Sequence, residues 1–167
     1  GAPRLIDALV AAVETGGGAA AAFGIAKSGK RAGPGDFSRG DLIFGAGCGR
    51  GFEGTMEMMC HSLHSVIGSL PGETSIYFGH EYTENNLRFA QTVEPDNSEA
   101  AARLEAARRE RAAGRFTTPS TMALEMRTNP FLRCAEPSLR AAARKAGQPA
   151  DSPAAVFAAI RTMKDRF

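Results

Sequence analysis

Asp41 and His80 are the residues from which chemistry could start. Asp41 precedes the apolar run Leu42, Ile43 and Phe44; His80 follows the β-branched and aromatic run 74–78. A carboxylate and an imidazole are hard-to-borderline donors, suited to zinc, iron or manganese. An aspartate can bridge two metals through its two oxygens. A hydroxide held between such metals is a nucleophile at neutral pH, and the same ions polarise a carbonyl. Asp41 is therefore both a candidate metal ligand and the candidate catalytic residue. A cation in the adjoining loop could contact an anion. Arg50 sits in a glycine-rich loop, and Arg161 and Lys164 lie three apart on one edge of the last expected helix. An arginine can grip a carboxylate with two parallel hydrogen bonds, whereas a lysine acts as a point charge.

The elements that must position these groups alternate strand and helix, then become helical only. Five glycines between positions 45 and 54 let the backbone pass close to a ligand. Residues 55–70 read as one amphipathic helix, with Met56, Met59, Cys60, Leu63, Ile67 and Leu70 on its apolar face. Glu57, His61 and His64 fall on the opposite face. A metal-binding trio is conceivable there, but a solvated polar face is the plainer reading. Pro71-Gly72 turns the chain into a strand over 74–78, which ends at Gly79-His80. Thr83 is expected to cap the next helix, through Leu87, Phe89 and Ala90. Asn97 or Ser98 should cap a long helix over 99–113, stopped by Gly114. A turn at 117–120 leads to a short helix over 121–127. The turn 128–133 follows, where Pro130 forces Asn129 out of the helical region and a structural connector is the simplest role. Helices are expected over 137–146 and 153–166, the latter opened by Ser152-Pro153.

The totals narrow the classes. A chain of 167 residues with 43% hydrophobic and 23% charged residues can bury a core. A net charge of +2 argues neither for nucleic acid nor for a membrane surface. The charge is uneven: residues 1–94 carry 7 basic and 10 acidic side chains, residues 95–167 carry 13 basic and 8 acidic. A basic second part suits a small anion, or is a solvated helical face. Cys48, Cys60 and Cys134 are odd in number and irregularly spaced, which speaks against a disulfide framework and for a reducing compartment. Residues 1–39 are rich in glycine and alanine, linker-like, and too short in any apolar run for a transmembrane span.

The stretch 40–55, G-D-L-I-F-G-A-G-C-G-R-G-F-E-G-T, followed by Y-F-G-H-E-Y-T at 77–83, resembles the glyoxalase II family, the hydroxyacylglutathione hydrolases. T-N-P-F-L-R at 128–133 and R-T-M-K-D at 161–165 fit the same family, so the resemblance runs from about residue 40 to residue 167. It implies an α+β fold: the second half of a metallo-β-lactamase-like αββα domain over 40–94, then the helical C-terminal glutathione-site domain over 95–167, with 1–39 atypical. Persulfide dioxygenases share the metal fold, but the helical T-N-P-F-L-R part argues against them.

The resemblance also implies a function and site residues. The family hydrolyses S-D-lactoylglutathione to D-lactate and glutathione with two metals per complete site. Asp41 matches the bridging ligand and His80 a ligand of the second metal. Arg50, Gly51, Phe52, His80, Glu81, Tyr82, Arg161 and Lys164 match substrate-binding positions. Phe52 stands where the family often has tyrosine. The family's H-x-H-x-D-H stretch has no counterpart, the only histidines being His61, His64 and His80. The chain therefore reads as truncated, holding metal poorly and inactive alone. The alternative is a non-catalytic remnant or anion-binding module. A glutathione thioester is the expected partner, without nucleic acid or membrane, the chain being a monomer unless an exposed sheet edge pairs. The expected compartment is the cytoplasm, with a mitochondrion or other organelle as alternatives.

Overall fold

Local capping chemistry sets most of the element boundaries. The computed structural model describes residues 42–50 and 55–167. The readings made above for 1–39, Asp41, Gly51 and Phe52 lie outside those residues. A two-residue hairpin, β1 (Ile43–Phe44) and β2 (Gly47–Cys48), comes first, with Ile43 opposite Cys48 and Phe44 opposite Gly47. Helix α1 (Met56–His61) starts where the Thr55 hydroxyl accepts the Met58 N–H at 3.2 Å.

The single helix expected over 55–70 is corrected. After α1 the backbone widens into a π-helical turn over Ser62–Val66, then tightens into a 3₁₀ turn over Ile67–Ser69. The Ser62 hydroxyl donates back to the Met58 carbonyl at 2.9 Å, and the Ile67 N–H reaches the Ser62 carbonyl. Such side-chain back-bonding competes with the regular ladder. The apolar face survives: Met59, Cys60, Leu63, Ile67 and Leu70 are buried.

The strand expected over 74–78 contributes only β3 (Ser75–Ile76) to a ladder, and its partner is β4 (Ser120–Thr121), antiparallel. The Met122 N–H to the Thr74 carbonyl at 2.9 Å, and the Phe78 N–H to the Thr118 hydroxyl at 3.3 Å, extend the pairing at both ends. Residues 117–120, read as a turn, thus supply part of a strand. Thr121 becomes the cap, accepting the Leu124 N–H at 3.3 Å, and α4 spans Met122–Thr128; the intervening α2 and α3 are described next.

Helix α2 (Thr83–Val93) corrects the expected cap. Tyr82 holds the cap position without a side-chain bond, and the Thr83 hydroxyl instead meets the Thr117 hydroxyl at 2.7 Å. Asn97 caps α3 (Ser98–Ala112), its side-chain oxygen accepting the Ala100 N–H at 3.0 Å. Gly114, at φ +71°, reverses the chain after α3, a conformation that costs a glycine little. A 3₁₀ turn at Pro130–Leu132 leads to α5 (Pro137–Lys145) and α6 (Pro153–Asp165), both with proline in the first turn.

These helices enclose one main core. Phe89, Phe131 and Phe157 form its axis, at centroid separations of 6.4 and 5.5 Å, among Met59, Leu63, Ile76, Leu139, Val156 and Ile160. α1 packs on α6, and α2 on α3. A smaller cluster of Leu87, Leu104 and three alanines fills the α2–α3 seam. The described residues therefore make a mainly helical unit with two small sheets.

Candidate functional site

The β1–β2 hairpin is where the glycine-rich stretch meets the helical part. A Cβ on Gly45 would lie 2.2 Å from the Thr83 hydroxyl, and one on Gly47 2.4 Å from the Asn86 amide nitrogen. Asn86 uses that nitrogen to donate to the Gly45 carbonyl at 3.0 Å. Gly47→Ala is expected to cost about 1–3 kcal/mol, the scale of forced overpacking; urea denaturation measures it, and an unchanged midpoint would show that Asn86 yields freely. From the other side, the Asn129 amide donates to the Gly47 carbonyl and to Glu125 Oε2, both at 3.0 Å. The T-N-P turn is thus a connector, as expected, and also a seat for the hairpin.

Glu125 lies beneath that hairpin, fully buried. Its Oε2 also accepts the Ala46 N–H at 2.9 Å, where Ala46 is held at φ +54°. Its Oε1 accepts the Ser120 hydroxyl at 2.6 Å and the Arg103 guanidinium at 2.5 Å. Arg103 donates onward to the Thr128 hydroxyl. The sequence reading missed this network, since a glutamate within a short helix carries no local mark of burial.

Around the hairpin the candidate residues fall into two groups. His80 and Tyr82 stack at 5.1 Å and 14°, and both meet Phe44 of β1 edge-on, at 5.8 and 5.4 Å. The second group is cationic. Arg161 of α6 is buried, donates to the Cys48 carbonyl at 3.1 Å and lies 5.1 Å over the Phe131 ring. It also donates to Asp165 Oδ1 at 3.0 Å, and the same oxygen pairs with Arg50 Nε at 3.3 Å. Lys164 Nζ donates to the Asn85 carbonyl at 3.4 Å in the first turn of α2, between the rings of Phe89 and Phe167. Glu81 is tied elsewhere, its two oxygens accepting the N–H and hydroxyl of Thr117, each at 2.9 Å.

Burial shapes two of these groups. It lowers the Lys164 ammonium to about 8, helped by the charges of Arg161 and Arg88. It pushes the Cys48 thiol up to about 12, against the pull of Arg161. The folded lysine therefore releases its proton below the unfolded value of 10.5, and the unfolded chain binds more protons between the two. Stability should rise with pH across that window, about 8 to 10.5. Lys164→Met should flatten the rise in a series of melting temperatures; an unaltered slope would assign it to another group.

A model of the hydroxyacylglutathione hydrolase C-terminus matches residues 81–167. The chain belongs to this family. It is 51% identical over 129 residues to a hydroxyacylglutathione hydrolase of Pseudomonas fluorescens, covering 77% of this chain and 50% of the relative. It is 52% identical over 128 residues to one of Brucella ovis, covering 77% and 48%. The chain spans about half the length of the curated relatives it matches.

Family membership raises the question of metals. Among the described residues no group of three or more histidine, cysteine, aspartate or glutamate side chains is placed to hold an ion. A zinc site ordinarily takes about three or four protein donors. The described residues alone therefore do not fit a metal centre. Glu57 and His61 are exposed, but His64 is not part of a solvated face: it is half-buried, and its Nε2 meets the Phe131 carbonyl at 2.8 Å. Of the residues the sequence reading left without a role, Asp165 is the one that could have been found, being four residues after Arg161 on the same helix.

Proposed function

We propose that this chain is the glutathione-binding part of a thioester hydrolase that converts S-D-lactoylglutathione to D-lactate and glutathione. The observation that carries this reading is the convergence of Arg50 and Arg161 on one Asp165 oxygen, with Lys164 beside them on the same helix. Glutathione carries two carboxylates, and a corner with this excess of cations suits one of them. The stacked His80 and Tyr82, against Phe44, would form an apolar wall beside the acyl end. In this reading 40–94 is the second half of a metallo-β-lactamase-like domain and 95–167 the helical domain that completes the site. Zinc, or iron or manganese, would supply the activated hydroxide when bound, with Asp41 and His80 among its ligands.

The test is calorimetric titration of the 167-residue protein with reduced glutathione. We expect weak, salt-sensitive binding that Arg50→Gln and Lys164→Gln each reduce about two- to fivefold, the scale of an exposed ion pair. Binding that ignores both substitutions and salt would remove the anion site. A second reading, a glutathione-binding module without catalysis, is favoured by the donor supply. The chain holds three histidines, and His64 is already committed to a backbone carbonyl. Joining residues 40–167 to the N-terminal half of a family relative separates the two: a metal-loaded chimera with turnover supports the hydrolase, and sub-stoichiometric metal with intact glutathione binding supports the module.

A further inference from the structure

The stretch that joins β3 to α2 carries His80 and Tyr82, both exposed, and between them Glu81, only 23% of whose side chain meets solvent. The Glu81 carboxylate is turned onto the residues just before β4. Its Oε1 accepts the Thr117 N–H and its Oε2 the Thr117 hydroxyl, each at 2.9 Å, and Arg111 Nε lies 3.8 Å from the same Oε2. A hydroxyl has one proton to give, so the buried Thr83 hydroxyl is the donor where it meets the Thr117 oxygen at 2.7 Å. On the other side of the stretch the Phe78 N–H donates to the Thr118 hydroxyl at 3.3 Å. Two adjacent threonines thus hold Phe78, Glu81 and Thr83, which lie before, between and after the two rings.

We propose that Glu81 and Thr117 are positioning residues: their paired hydrogen bonds fix the backbone between His80 and Tyr82 and so set the plane in which the two rings stack. Exposed rings have no core around them, and Phe44 touches these two only by edges. A stack at 5.1 Å and 14° therefore needs a fixed main chain beneath it. A carboxylate gripped through both oxygens supplies that, because it is held in orientation as well as in place. Glu81 then acts through its neighbours and not on a ligand, as a supporting group holds the groups that do the work. That the two rings serve a thioester hydrolase rests on the function proposed above; the clasp itself does not.

The test is NMR on the 167-residue protein. It reads the nuclear Overhauser contact between the ring protons of His80 and Tyr82, assigned by its loss in Tyr82→Leu. We expect the contact in the unsubstituted protein. Thr117→Val keeps the shape and the N–H but loses the hydroxyl, and should weaken it; Glu81→Ala should abolish it. Thr117→Ser should retain it. Glu81→Gln should retain it too, since the amide oxygen can accept the Thr117 N–H while the amide nitrogen donates to its hydroxyl. In a Glu81→Ala background Thr117→Val should change nothing further. The methyl signals of Val156 and Ile160, in the main core, should stay in place throughout. A ring contact that survives Glu81→Ala would overturn the proposal, and so would its absence from the unsubstituted protein. Core signals that move together with the ring contact would make Glu81 and Thr117 merely structural, which overturns it as well. A ring contact that follows the clasp in a protein that binds no glutathione would support the proposal and sink the glutathione reading.

Discussion

Glu125→Gln is expected to remove about 3–5 kcal/mol of stability, the cost of breaking a buried ion pair by changing one partner. The reason lies in the chemistry of its neighbours. All four groups around the carboxylate are donors: the Arg103 guanidinium, the Ser120 hydroxyl, the Ala46 N–H and the Asn129 amide. An ionised carboxylate only accepts, so it satisfies them all. The amide of glutamine would turn an NH₂ toward two of those donors and leave Arg103 buried without its counter-charge. Domains of this size are stable by only about 5–15 kcal/mol, so the loss would bring the fold near its limit. Urea denaturation followed by circular dichroism measures it. Substituting Arg103→Met together with Glu125→Leu should recover only part of the loss, because the Ala46 N–H and Asn129 would still lack their acceptor. A Glu125→Gln protein with an unshifted midpoint would refute this account of the hairpin seat.

The second large effect concerns activity. Residues 40–167 placed behind the N-terminal half of the Pseudomonas fluorescens relative are expected to hydrolyse S-D-lactoylglutathione and to bind metal. The 167-residue chain alone is expected to do neither above background. Asp41→Ala in the chimera should lower kcat/KM at least about 100-fold, since even groups one shell removed from a metal cost about 10–100-fold. The argument is one of donor count and rigidity. Asp41 and His80 supply two candidate ligands, and the described residues gather no set of three. His64 cannot be recruited without breaking its contact to the Phe131 carbonyl. Metal chemistry needs its ligands fixed to within about half an ångström. Two metals per chain and steady turnover by the 167-residue protein would show that donors outside the described residues complete the centre. An inactive but folded, metal-loaded chimera would instead locate a defect in the anion corner.

Much of the architecture was legible from local chemistry. Ser152 with Pro153, and Asn97 ahead of an alanine-, arginine- and glutamate-rich run, mark helix starts by hydrogen bonds that span three residues. The apolar stripe of 55–70 was correctly assigned to the core even though the backbone under it is not one regular helix. The order of the motifs around Gly45, His80, Asn129 and Arg161 pointed to the family that the comparisons establish. These readings succeed because caps, turns and amphipathic spacing are properties of a few adjacent residues.

The site's working parts were decided by tertiary structure. Arg161 reads as a cation on one edge of the last helix, yet it bonds to a carbonyl 113 residues earlier and is buried. Glu81 reads as a ligand contact beside His80, yet Thr117, 36 residues on, takes both its oxygens. Glu125 meets the hairpin across 79 residues, and β3 finds its partner in residues that read as a turn. Nothing in local spacing says which distant donor a carboxylate will meet. That choice belongs to packing, which brings polar groups together and leaves most of them partnered once water is excluded, Arg161 Nε being an exception. The types of residue available for an anion corner were thus set by the sequence itself. Which arginine is buried against the β2 backbone, and which stays exposed, was set only when α6 folded back onto the end of β2.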